Sequence, residues 1–198
     1  MKFITRNHRL FFFLIWFLIN LIQAGTTELF DDEAYYWIYS QYPARGYFDH
    51  PPMIAWLIKA GYTIFPYELG VRLFIVLMNT ATLFIIQKLT EKKNDFLFYA
   101  IAASIAVAQI GGIIAVPDIP LLFFVSLFFL LYRHFLSNTS IVNSFLLGIS
   151  IALMLYSKYH GILILFFTLI SNPKLLSKYQ TSLAALVALL LFFPHLYW

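Results

Sequence analysis

Seven apolar runs, separated by short polar or charged breaks, occupy most of this 198-residue chain, at 10–24, 69–88, 96–116, 119–136, 141–157, 160–171 and 181–198. A helix needs about 17–25 such residues to traverse the hydrocarbon core of a bilayer, and most of these runs approach that length. Composition removes the alternative of a soluble core. Hydrophobic residues make up 62% of the chain and charged ones 11%, whereas a soluble domain carries about 25% charged residues. No soluble fold of this size hides so much apolar surface, because burial is limited by surface-to-volume scaling. The chain reads as an all-α polytopic membrane protein with about seven spans. Its first run follows Lys2, Arg6 and Arg9 and has the length of a signal peptide. No small-residue cleavage site ends it and further spans follow, so an uncleaved first helix is expected. The fifth and sixth runs are short and interrupted by Lys158, which predicts tilted or broken helices there.

Basic residues orient the chain. Nine collect on one side (Lys2, Arg6, Arg9, Lys88, Lys92, Lys93, Arg133, Lys174, Lys178) and four on the other (Arg45, Lys59, Arg72, Lys158). The positive-inside rule places the nine in the cytoplasm. Acidic residues divide the opposite way, with Glu91 and Asp95 inside and the remaining seven outside. The basic residues form short clusters rather than one patch, so nucleic acid is not a partner. Cysteine is absent, which excludes disulfide scaffolds and thiolate chemistry. No glycine-rich phosphate loop, Ser–His–Asp pattern or zinc-protease histidine pair is present.

With this topology Asp31–Glu33, Asp49–His50, Asp118, Lys158–His160 and His195 all reach the same outer level. Ionisable groups at a membrane are costly and mark function. Asp31 or Asp32 is a natural helix N-cap, after which Tyr35, Ile38, Tyr39 and Tyr42 share one helical face. An interfacial amphipathic helix explains one acid there, but three in a row repel one another unless a cation or a substrate is near. Pro51 and Pro52 stiffen the next segment, which predicts an extended Asp49–His50 before a new helix. Asp118 lies in a tight turn as a candidate N-cap, and Lys158 either snorkels to the interface or contacts a phosphate. Arg72, just inside the second span, should pair with an acid or a phosphate. His8 and His134 read as lipid-headgroup contacts, and His195 has no reading of its own.

Asp32-Glu33-Ala-Tyr-Tyr-Trp, Gly-Tyr-Phe-Asp49-His50-Pro-Pro, Val-Arg72-Leu, Pro117-Asp118-Ile-Pro-Leu and Ser-Lys158-Tyr-His160-Gly occur in that order. Together they resemble the bacterial GT-C glycosyltransferases of the protein O-mannosyltransferase type, a group that includes the lipid A aminoarabinose transferases. The resemblance implies a GT-C transmembrane helical bundle in the bacterial inner membrane, with its active site on the periplasmic face. It implies an enzyme of cell-envelope glycan or lipopolysaccharide chemistry that takes a hexose or pentose from a polyprenyl-phosphate donor, with inversion. The acceptor would be a lipid, glycan or protein hydroxyl. Asp32 then corresponds to the catalytic aspartate, with Glu33 beside it. His50 stands where the aminoarabinose branch carries lysine against the lipid phosphate. Relatives run to several hundred residues with a soluble outer domain, so residues 1–198 are expected to be an N-terminal transmembrane part, truncated at its C-terminus. Residues 25–67 would be its first extracytoplasmic loop, with interfacial helices.

Sugar transfer from a lipid phosphate requires a carboxylate to take the acceptor proton and cations to hold the departing phosphate. Asp32 is the expected base, with Glu33 as its catalytic neighbour; Asp49, His50, Arg72, Asp118, Lys158 and His160 are the expected donor-binding groups, Asp118 and Glu33 orienting the cations around the phosphate. No cofactor is assigned with certainty; a divalent metal is left open, with Asp31, Asp32 and Asp49 as candidate ligands. Two other classes compete: a flippase for lipid-linked sugars, and a non-catalytic subunit that binds them. The spans at 69–88 and 119–136 are largely clean of polar residues below their outer edges, which disfavours translocation.

Overall fold

A computed structural model describes residues 7–90, 94–105 and 109–198. Lys2, Arg6, Glu91, Lys92 and Lys93, which enter the charge balance of the sequence, lie outside the described residues. The described chain is helical throughout, without strands. α1 spans His8–Thr26, α2 Asp31–Gln41, α3 Met53–Ile64, α4 Tyr67–Leu89 and α5 Asp95–Ser104. After a single 3-10 turn at Gly111–Ile113 come α6 at Asp118–Ser137, α7 at Ile141–Ser157 and α8 at Gly161–Ser171. A second 3-10 turn, Pro173–Ser177, leads into α9 at Tyr179–Leu196.

Four helices, α1, α4, α6 and α9, are long and apolar enough to cross a membrane unaided. α5, α7 and α8 have 10, 17 and 11 residues. At 1.5 Å per residue, α8 reaches only about half of the roughly 30 Å core. The run expected at 96–116 is not one helix, because α5 ends at Ser104 and the chain turns at Gly111–Ile113. The expected break at Lys158 is present: Gly161 N–H donates to the Lys158 carbonyl at 3.0 Å, reversing the chain between α7 and α8. α6 to α9 alternate in direction. At the basic end of the bundle Gln180 meets the Thr139 carbonyl, whereas at the opposite, acidic end His195 meets the Arg45 carbonyl.

Apolar side chains such as Leu10, Ile22, Phe167 and Leu190 are exposed on the outside of the bundle, as lipid-facing residues are. At its centre, Ile54 and Ile58 of α3, Val71 and Ile75 of α4, Ala115 and Ile119 pack under Tyr36. A second cluster joins Met53, Phe124, Met154, Tyr156 and Phe192. This is an all-α polytopic membrane protein.

Glycine permits two of the closest crossings. A methyl group at Gly148 of α7 would collide with the Ala184 carbonyl of α9, and one at Gly61 of α3 would collide with the Gly70 carbonyl of α4. Gly61→Ala should therefore cost about 1–3 kcal/mol, the usual range for overpacking, because main-chain oxygen cannot rotate away. Thermal unfolding in detergent checks this, and an unchanged melting temperature would contradict the packing described. The crossing also anchors α3 against α4, and with it His50, which stands just ahead of α3 in the chain.

At the basic end, Asp95 binds His8 Nε2 at 3.0 Å, Arg9 Nε at 2.8 Å and Gln87 Nε2 at 3.1 Å. His8 is thus not the headgroup contact expected from its basic neighbours. It staples the start of α1 to the start of α5, stacked on Phe96 at 5.5 Å.

Candidate active site

Glu33 and Arg72 are both 0% exposed and form an ion pair between α2 and α4. Arg72 Nε donates to Glu33 Oε1 at 2.7 Å, and one Nη closes a second bond to Oε2. The remaining guanidinium hydrogens reach three carbonyls: Ala24 at 3.1 Å, Thr27 at 2.6 Å and Glu28 at 2.8 Å. Glu33 in turn accepts from Phe30 N–H at 3.0 Å and Ala115 N–H at 2.8 Å. All five guanidinium hydrogens and both carboxylate oxygens are engaged, which is the condition under which a buried ion pair is tolerated. The pair joins the end of α1, the start of α2, α4 and the approach to α6.

This corrects two expectations. Arg72 has no N–H left for a donor phosphate, and Glu33 faces inward rather than into an open site. The N-cap of α2 is Phe30, not an aspartate, and Glu33 satisfies its N–H from inside the helix. The N-cap of α6 is likewise Pro117, which leaves the Asp118 carboxylate free to reach elsewhere.

Asp118 reaches the end of α7. Both of its carboxylate oxygens accept from Lys158 Nζ, at 2.8 and 2.9 Å. The expected Asp118–Lys158 proximity is therefore direct, across 40 positions of sequence. Residues 47–50 curl rather than extend, since Tyr47 N–H donates to the His50 carbonyl at 3.1 Å, while Pro51 and Pro52 lie buried behind them. Asp49 accepts from the Tyr39 hydroxyl at 3.0 Å and stands 3.7 Å from His50 Nε2. The Tyr39 hydroxyl also meets that of Tyr35, and its ring stacks on Tyr47 at 4.2 Å. Tyr47 is held by the carbonyls of Tyr39 and Tyr42 at 2.9 and 3.0 Å.

Tyr36 lies at the focus of the acids. Burial, then the carboxylates of Asp49 and Asp32, the Tyr35 phenol and Asp118, push its phenol up to about 12. Its ring meets the His50 ring edge-on at 5.5 Å. Four separate segments thus bring Asp32, Asp49, His50, Asp118 and Lys158 to one end of the bundle. Among these acids, Asp32 alone has neither an ion-pair nor a hydrogen-bond partner among the described residues. Asp31 is exposed beside it, and His160 is exposed at the start of α8. No three histidine or acidic side chains among the described residues gather as a metal-ligand set, so Asp31, Asp32 and Asp49 do not form one.

The raised Tyr36 value carries a prediction. An unfolded tyrosine ionises near pH 10, so the neutral phenol stabilises the fold fully below about pH 10 and that contribution is lost as pH rises toward about 12. Tyr36→Phe should show a shallower alkaline decline in melting temperature than the wild type. Identical declines would mean that neither burial nor the surrounding carboxylates raise the Tyr36 phenol.

Sequence reasoning missed the residues that close this end. His195 is 6% exposed. Its Nδ1 lies 2.7 Å from the Arg45 carbonyl, which can only accept, so Nδ1 carries the hydrogen. Nε2 meets the Tyr159 hydroxyl at 2.9 Å. Gly46 packs so closely on the rings of His195 and Trp198 that a β-carbon there would force one of them to shift. The signal for these contacts was the shared outer level of His195, Tyr159 and Arg45, which says nothing of which side chains meet. Deeper in the bundle, an apolar cavity of about 270 Å³ opens between α6, α7, α8 and α9, reaching Leu155 and Phe192 at its upper edge.

Residues 49–198, more than half of the chain, match the family described as dolichyl-phosphate-mannose-protein mannosyltransferase. The chain belongs to this family. The match covers Asp49, His50, Arg72, Asp118, Lys158 and His195, and begins after Asp32 and Glu33. A curated relative is similar over much of the chain. The lipid A galacturonosyltransferase RgtD of Rhizobium johnstonii is 26% identical over 153 residues, which are 74% of this chain and 32% of that protein. The chain thus spans about a third of the length of that curated relative. No solved structure matches it. The resemblance to GT-C glycosyltransferases read from the five motifs agrees with both findings.

Proposed function

We propose that residues 1–198 form the N-terminal transmembrane part of a glycosyltransferase that moves a sugar from a polyprenyl-phosphate donor to an acceptor hydroxyl. Residues 25–67 serve as its first outer loop. The acidic end faces outward from the bacterial inner membrane. The observation that carries this reading is the convergence of Asp32, Asp49, His50, Asp118 and Lys158 from four segments onto one end of an apolar bundle.

The chemistry depends on which groups are committed. Of the three converging carboxylates Asp32, Asp49 and Asp118, Asp32 is the uncommitted one, and it takes the acceptor proton as the hydroxyl attacks the anomeric carbon. A single displacement inverts that centre. Lys158 and His50 face the departing phosphate. The Lys158–Asp118 pair is exposed on its Asp118 side, at 55%. Such pairs are worth about 0–1 kcal/mol, so a phosphate competes for Lys158 at small cost. Asp49, gripped by Tyr39, holds His50. Glu33 and Arg72 touch no substrate; they fix the helix on which Asp32 sits. The cavity below Lys158 and His195 offers the donor's apolar tail a place beside its headgroup. The acceptor is a lipid, glycan or protein hydroxyl, and the name of the galacturonosyltransferase relative favours a lipid.

The test uses the full-length protein in liposomes with a polyprenyl-phosphate hexose labelled in the sugar. Label passing to a hydroxyl acceptor is the expected result. Donor that binds but is never consumed would overturn the catalytic reading and leave a subunit that binds lipid-linked sugars.

A further inference from the structure

One stripe of α1 carries polar groups that the surrounding protein leaves unanswered. Trp16, Asn20 and Gln23 are spaced four and three apart, so they lie along one helical face. Trp16 is 6% and Asn20 1% exposed. Asn20 Nδ2 donates to the Trp16 carbonyl at 2.8 Å, which fixes the direction of its amide because a carbonyl only accepts. Asn20 Oδ1 is then left without a donor. Neither Trp16 Nε1–H nor Gln23 Oε1 has a partner among the described residues. All three side chains line one cavity of about 150 Å³, whose other walls, apart from Gln109, are apolar groups such as Ile15, Ile19 and Ala103.

Unpaired polar atoms are costly at membrane depth, where lipid offers no replacement bond. The three orphans make a specific demand: one N–H needs an acceptor, and two oxygens need donors. A lone hydroxyl donates once and a lipid carbonyl never. Water accepts and donates twice. A buried water needs about 10–15 Å³ and two to four polar partners, and this cavity supplies both. We infer that α1 contains an internal hydration site, in which a water molecule bridges Trp16 Nε1, Asn20 Oδ1 and Gln23 Oε1. It lies one turn from Ala24, whose carbonyl holds Arg72.

Hydroxyl-radical labelling by water radiolysis, read by mass spectrometry on the full-length protein in lipid nanodiscs, tests this. Bound water generates radicals beside the side chains it touches, so Trp16 should be oxidised although it is shielded from bulk solvent. Labelling should drop in Asn20→Leu and in Gln23→Leu. Trp16 as inert in the wild type as the lipid-facing Phe11 would overturn the inference, as would labelling equal in the wild type and both variants. Melting temperature gives an independent sign. A dry cavity predicts that Asn20→Leu raises it by removing an unpaired amide oxygen, whereas a bridged water predicts a fall. If Asn20→Leu does not fold, Gln23→Leu, at the half-buried edge of the cavity, carries both comparisons.

Discussion

Asp32→Asn should lower sugar transfer by about 10²–10⁴-fold while the protein stays folded, the usual loss when a general base is removed. The substitution changes charge but hardly shape. Asp32 sits exposed in the first turn of α2 and holds no ion-pair partner among the described residues. The structural cost is confined to the lost attraction between a carboxylate and the helix N-terminus, about 0.3–1 kcal/mol. Asp31→Asn is the matched control, since it removes the same charge from the same turn but points about 100° away around the helix. Transfer should fall in the first variant and hold in the second, with similar melting temperatures. Wild-type transfer by a folded Asp32→Asn protein would move the base elsewhere, and Asp49 would be the next carboxylate to test.

The largest stability effect is expected at Arg72. Arg72→Met leaves the Glu33 charge buried without its partner and strips a donor from three carbonyls, of Ala24, Thr27 and Glu28. Removing one member of a buried pair costs about 3–5 kcal/mol. Arg72→Lys should not restore stability, because a single ammonium with three hydrogens cannot reach five acceptors spread over two oxygens and three carbonyls. Glu33→Leu in the Arg72→Met background should recover part of the loss by removing the stranded charge. Denaturant unfolding of the wild type and these three variants in the same detergent reads all of this. An unfolding midpoint unchanged by Arg72→Met would mean that the pair does not hold α1, α2 and α4 together.

What the sequence discloses and what it hides differ by one coordinate. Apolar runs and their charged breaks report depth in the membrane, so the bounds of α1, α4, α6, α7, α8 and α9 lie within a few residues of their runs. The same depth argument brings Asp32, Asp49, Asp118 and Lys158 to one level. Depth does not report azimuth. Arg72 could not be assigned to Glu33 rather than to a phosphate, because the two lie 39 positions apart and only the rotation of α4 decides. Tyr39 read only as part of one helical face and Tyr47 carried no reading, yet one grips Asp49 and the other pins the loop. Helix caps misled for a local reason: Asp31 and Asp118 resemble N-caps, but the preceding Phe30 and Pro117 already hold that position. His195 could not be read at all, because one of its partners, Arg45, comes from the far end of the sequence.

That last contact has a consequence for how the protein is made. Arg45 and His195 are separated by 150 positions, and the bond between them fastens the loop that presents Asp49 and His50. During synthesis the ribosome delivers this loop long before α9, at about 5–20 residues per second. For that interval of several seconds or more the loop lacks its far support, and Gly46 has nothing packed on it. Glu33 and Arg72 can lock earlier, once Ala115 has emerged to complete their bonds. Biogenesis is therefore ordered: the frame under Asp32 sets first, and the Asp49–His50 loop reaches its final form only on insertion of α9.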